Sequence, residues 1–182
     1  GWARIPSAWP RRSSRRSVRP CRASSLRAAA PFVTAALAPG GGAPLLLVHP
    51  DGAASLYPAP GAAPRGAAMP GMPTTGASFV DVDRDGKLDL FVGFFATSTF
   101  SPQQLLSGNG DGTFSDVSAA SGVTASATRR AAYGVTSCDL DGDGIPELLV
   151  SAYARGPNVL YAKNASGHYA DIGVMAGYAY DG

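Results

Sequence analysis

The stretch DVDRDGKLDLFV, Asp81–Val92, returns as DLDGDGIPELLV, Asp139–Val150, 58 residues further along the chain. Each copy opens on alternate acids, turns at a glycine and closes in an apolar run of strand length. The glycine ahead of it returns too, Gly76 against Gly134. Downstream, LLSGNGDGTFSDV (Leu105–Val117) returns as LYAKNASGHYADI (Leu160–Ile172) at an offset of 55. The difference falls in the connection after the apolar run, where a few extra residues change loop entropy little. A fainter third copy precedes both. Phe32-Val33 matches Phe91-Val92, Leu45-Leu46 matches Leu105-Leu106, and Asp51-Gly52 matches Asp111-Gly112. Its acidic loop would fall near residues 22–30, where the chain has no acid.

Each full copy reads as four short strands. Ser78–Asp81 and Tyr133–Asp139 lead into the acidic loops, and Leu88–Phe95 and Glu147–Tyr153 follow them. Gln104–Ser107 and Asn158–Ala162 come third. Thr113–Val117 and His168–Ile172 come fourth, after turns rich in Gly, Asn and Asp. Four antiparallel strands per repeat of this length make one blade of a β-propeller. The expected fold is therefore all-β, a partial propeller forming an open arc of about two to three blades, since a closed ring typically takes 4–8. Four segments are expected: a basic, disordered leader over 1–30, a degenerate partial blade with a Pro/Gly-rich loop over 31–75, one blade over 76–132, and a second over 133–182. Within the second segment, 58–75 is expected to be a loop.

Composition agrees. Leu, Ile, Val and Phe make up 36 of the 182 residues, so the core is small, and 23 Gly with 15 Pro disfavour long helices. No apolar run is long enough to span a membrane as a helix. Two cysteines, Cys21 and Cys138, exclude a disulfide-stapled scaffold and a Cys-rich zinc module, and Cys138 is expected as a small buried hydrophobe not bridged to Cys21. The formal charge of +2 averages two unlike pieces: residues 1–50 hold eight Arg and no acid, whereas the rest holds seven basic groups and all 13 acids. The basic leader admits three readings: an unfolded or extraneous segment, a targeting segment, or a nucleic-acid arm. It lacks interleaved aromatics for base stacking, so no nucleic-acid partner is expected.

The acidic loops carry the chemistry. Asp81, Asp83, Asp85 and Asp89 form D-x-D-x-D-G-x-x-D, and Asp139, Asp141, Asp143 and Glu147 repeat it with Glu last. Alternate side chains of a tightly curled loop aim at one point, and Gly86 and Gly144 allow the reversal. The backbone carbonyls of Lys87 and Ile145 are expected to add a neutral oxygen. Five or six oxygens and a water suit Ca2+, and an all-oxygen set disfavours zinc and copper. Two carboxylates about 6 Å apart repel by roughly 2.8 kcal/mol at an effective dielectric of 20, so an ion of opposite sign stabilises the curl. The plainer reading, a solvated acidic turn, weakens once the pattern occurs twice at matched spacing. An EF-hand needs Glu at position twelve between helices, and Val92 and Val150 stand there instead.

These residues resemble FG-GAP/VCBS repeats, the calcium-bearing blades of integrin-alpha-type propellers. Within them, ASFVDVDRDGKLDLFVG, LLSGNGDGTFSDVSAASGV and AAYGVTSCDLDGDGIPELLVSAY are most similar to the branch of cartilage acidic protein and ASPIC/UnbV proteins. The resemblance covers 76–178 strongly and 32–57 weakly. It implies that the acidic loop joins the first two strands of a blade and binds Ca2+, and that Gly110–Val123 closes the blade. Glu147 departs from the usual Asp and reaches one methylene further. The function it implies is a calcium-stabilised module for extracellular protein or glycan binding, without catalysis. The partners expected are that ligand and the remaining blades of the same propeller. The rival is a propeller fragment of a polysaccharide lyase or hydrolase with its active site elsewhere. Asn164-Ala165-Ser166 is an N-glycosylation sequon in a turn. Phe94, Phe95, Phe100 and Tyr153 are expected to pack between blades.

Overall fold

A computed structural model describes residues 32–35, 44–48, 54–58, 61–67, 74–95, 103–125, 131–153 and 156–179. The leader over 1–30 lies outside them, as does Phe100. The chain is nearly all β. Among the described residues, twelve strands form three four-stranded antiparallel sheets, each a meander in chain order. The first holds β1 (Phe32–Ala35), β2 (Leu45–Val48), β3 (Ala54–Tyr57) and β4 (Arg65–Ala67). The second holds β5 (Thr74–Val80), β6 (Asp89–Phe94), β7 (Gln104–Gly108) and β8 (Phe114–Asp116). The third holds β9 (Ala132–Cys138), β10 (Glu147–Ala152), β11 (Val159–Lys163) and β12 (Tyr169–Asp171). A single helical turn, α1 (Ser118–Ser121), and a 3-10 turn at Val123–Ala125 link the second sheet to the third. The architecture is a partial β-propeller of three blades, without closure into a barrel.

The N-terminal segment departs from expectation. It forms four strands, not a partial blade, and β4 with the start of β5 lies inside the stretch read as a loop. Arg65-Gly66-Ala67 has no apolar alternation, so only its backbone pairing to β3 makes it a strand. Cys138 also departs from expectation. It is half-buried and disulfide-bonded, and its partner lies outside the described residues.

Two apolar layers join the blades. Leu46 and Leu56 of the first blade pack on Leu90, Val92, Phe94 and Leu106 of the second. On the other face, Phe91, Leu105, Val80 and Val82 meet Leu148, Val150, Val159, Tyr161 and Tyr169 of the third. The period of two along β6 sends Leu90 and Val92 one way and Phe91 the other. Because a blade lies on each side, all six residues of β6 are buried. In β10 only Leu148 and Val150 point into a filled layer, and Ser151 is exposed. Phe91 and Tyr161 meet edge to face, with centroids 6.4 Å apart.

The first strands of neighbouring blades lie side by side. Ser78 Oγ is 2.9 Å from Ser137 Oγ, and Thr75 Oγ1 donates to the Ala132 carbonyl at 2.8 Å. Both strands bulge at the same place in the repeat, at Thr75 and Tyr133. A bulge re-aims a side chain, and Tyr133 is 62% exposed although it sits on an inner strand. It stacks on Tyr153, whose ring in turn meets Phe95 edge-on at 4.9 Å. Phe95 and Tyr153 thus pack between blades, and Phe94 is buried against the first blade.

Candidate metal centre

The acidic loops run over 81–88 and 139–146 and join the first and second strands of the second and third blades. Backbone N–H groups hold both in the same curl. Gly86 N–H donates to Asp81 Oδ2 at 3.2 Å, and Gly144 N–H to Asp139 Oδ2 at 3.0 Å. Asp85 N–H donates to Asp83 Oδ1, as Asp143 N–H does to Asp141 Oδ1. Gly86 and Gly144 take left-handed φ values of 82° and 85°, which a Cβ would resist.

The last acid of each loop is the first residue of the following strand and is buried: Asp89 is 1% exposed and Glu147 6%. Asp89 Oδ2 accepts the Val82 N–H and Oδ1 accepts the Gly108 N–H, both at 2.9 Å. The carboxylate thereby ties the loop, β6 and the end of β7 together. Glu147 Oε2 accepts the Leu140 N–H at 2.7 Å, at the same place in its repeat. Burial raises the pKa of Asp89 above the ordinary carboxylate value, against the lowering effect of its two N–H donors. Burial raises Glu147 as well, helped by the charges of Asp141 and Asp143.

The geometry gathers three carboxylates at each site. Asp81, Asp83 and Asp89 each bring an oxygen to within 4.8 Å of the others, as do Asp139, Asp141 and Glu147. Asp85 and Asp143 stand outside those trios. Asp85 accepts the Lys87 N–H at 2.8 Å and pairs with Lys87 Nζ at 2.6 Å, a contact that lowers its pKa. Asp143 Oδ1 accepts the Ile145 N–H at 2.6 Å. Lys87 and Ile145 thus enter the curl through their N–H groups, and Lys87 also through its ammonium.

One oxygen in the first trio is orphaned. Asp81 Oδ1 is buried and meets no hydrogen-bond donor. A buried carboxylate oxygen without a donor is costly unless a cation faces it. The donor set is all oxygen, gathered at a charge density that suits a hard divalent ion. The residues therefore fit Ca2+.

Residues 81–150 match the family model of the FG-GAP-like repeat. The matched stretch starts on the first acid of one loop and ends in β10, so it spans both acidic loops of the FG-GAP-like segment. No curated protein matches the chain. Among the described residues no helix is long and apolar enough to cross a membrane.

The sequence reading missed the groups that link this segment's two loops. Arg84 Nη2 donates to the Asp143 carbonyl at 2.7 Å and its Nε to the Gly144 carbonyl at 3.1 Å. Lys163 Nζ donates to the Val82 carbonyl at 2.6 Å. Arg84 left a trace in the sequence, since the repeat places Gly142 at its position. Lys163 left none, because it stands 81 residues from its acceptor.

Proposed function

We propose that both loops bind Ca2+ and that the ion is structural. The observation that carries this reading is the orphaned Asp81 Oδ1 inside a trio of carboxylates whose backbone frame recurs in the next blade. Each loop joins the first two strands of its own blade, so a bound ion stabilises that hairpin. A ligand at 100 times its Kd adds about 2.7 kcal/mol per site, which is large beside a marginal core.

The module is a calcium-stabilised propeller repeat that binds protein or glycan outside the cell and performs no catalysis. Support comes from the FG-GAP-like match; an extracellular setting is one in which calcium modules work with weak, sub-millimolar to millimolar sites. Among the described residues, the acids outside the loops serve turns: Asp111 bonds Thr113, Asp116 bonds Ser118 and Asp171 bonds the Gly173 N–H. The resemblance of its Gly110–Val123 element supports a reading of the chain within the cartilage acidic protein and ASPIC/UnbV branch; that element ends with Val123 fully buried between blades. Calorimetric titration with Ca2+ tests the reading. Two binding events at up to millimolar Ca2+ are expected, and no uptake overturns it.

A further inference from the structure

The two acidic loops are copies of one curl, and they differ at one place in their frame. At the fourth position the second loop has Gly142, whose N–H donates to Asp139 Oδ1 at 2.7 Å. The first loop has Arg84 there, and the matching oxygen, Asp81 Oδ1, is the orphaned one. Both residues adopt left-handed backbone, φ 64° for Arg84 and 80° for Gly142. That conformation is natural for glycine and uncommon for a long side chain. Arg84 is the only non-glycine residue with positive φ among those described.

The side chain shows what this strained position achieves. Its guanidinium leaves the first loop and clasps the Asp143 and Gly144 carbonyls of the second. Gly144 is left-handed, and its own N–H holds Asp139 Oδ2, so the clasp grips the second curl at its reversal. A Cβ on Gly144 would collide with the Arg84 guanidinium. A second path runs the other way. Lys163 binds the Val82 carbonyl between two acids of the first trio and stands 5.3 Å from the Tyr169 ring centroid. The Tyr169 hydroxyl donates to the Pro146 carbonyl at 3.0 Å, where the second loop ends.

We infer that the two loops take up divalent cations as a coupled pair, with Arg84 as the positioning residue that couples them. This rests on the calcium reading above. Curling the first loop around an ion fixes the Arg84 backbone, and the clasp then orders the second loop before its ion arrives. The second ion meets less ordering entropy, which is positive cooperativity. Linkage requires the reverse effect to be equal: emptying the second site weakens the first by the same factor.

The test is a Ca2+ titration of the 182-residue chain and three variants by calorimetry, with far-UV circular dichroism as a check on folding. In the parent chain the affinities should be coupled by about tenfold, within the range usual for allosteric pairs. Arg84→Gly installs the residue that the second loop uses, relieves the backbone and removes the clasp. It should leave two independent sites, the second weakened about tenfold and the first at its uncoupled affinity. Arg84→Lys should restore part of the coupling. Asp83→Ala should empty the first site and weaken the second by the factor that Arg84→Gly does. Two sites of unchanged affinity and no cooperativity in both the parent and Arg84→Gly overturn the coupling while leaving the calcium reading intact. No Ca2+ uptake by the parent overturns both.

Discussion

Gly93 presents a bare α-carbon to Val135: a Cβ there would stand 2.6 Å from Val135 Cγ1 and 3.1 Å from Ala132 Cβ. The seam between the second and third blades closes on that missing methyl group. Gly93→Ala should therefore cost about 1–3 kcal/mol through overpacking. Gly134, on the adjoining inner strand, has open space where its Cβ would be. Gly134→Ala should change stability by less than about 0.5 kcal/mol. Melting temperatures of the two variants check this, and equal losses would show that the seam is loose.

Asp83 and Asp89 belong to one trio and should behave differently when mutated. Asp83 is exposed and accepts the Asp85 N–H within its own loop. Asp83→Ala should leave the chelated protein near its normal melting point and remove one Ca2+ binding event. Asp89 is buried and accepts N–H groups from two separate segments. Asp89→Ala should destabilise the chelated protein as well, by roughly 2–4 kcal/mol, since two buried donors lose their acceptor. Denaturant unfolding in EGTA separates the two.

Acid should act in opposite directions on the two metal states. Burial raises the pKa of Asp89 and Glu147 in the folded chain above that of the unfolded chain. The folded state then takes up these protons more readily than the unfolded one, so cation-free stability rises as pH falls through the raised values. In the Ca2+-saturated protein the same protons compete with the ion, and its stability falls. The two melting temperatures, measured with Ca2+ and with a chelator effective at each pH, should converge on acidification. Parallel curves would exclude Asp89 and Glu147 as ligands.

Tyr161 joins the third blade to the segment that closes the second. Its buried hydroxyl donates to the Val123 carbonyl at 2.8 Å and lies 3.3 Å from Gln103 Oε1. Tyr161→Phe keeps the ring against Phe91 and takes the hydroxyl donor from the Val123 carbonyl, at about 1–3 kcal/mol. Tyr161→Ala also opens a cavity and should cost about 3–5 kcal/mol. Urea midpoints at constant m-value check the order.

The sequence showed the hairpins β5–β6 and β9–β10 because two rare signals coincide there, alternate acids closed by glycine and an apolar run. The carboxylates of Asp81, Asp83 and Asp89 were legible for the same reason. β4 was hidden, since Arg65-Gly66-Ala67 carries no side-chain pattern and is a strand only through its pairing with β3. The Tyr133–Tyr153 stack was hidden too. It depends on a one-residue bulge, and a period-two reading assigns the wrong face to the residue that bulges. The clasp by Arg84 depends on two loops of separate blades lying together. Periodicity within one blade carries no information about that.

Hydrogen-bonded strands in every blade are neighbours in the chain, and this sets a timetable for synthesis. Local pairing lets each meander form soon after its fourth strand leaves the ribosome. The layer between blades cannot form so early. Phe91 waits for Tyr161, 70 residues later, a delay of roughly 4–14 s at ordinary translation speeds. During that interval the nascent second blade stands with one apolar face uncovered, so the order of synthesis leaves each blade half-finished for seconds until the next one arrives.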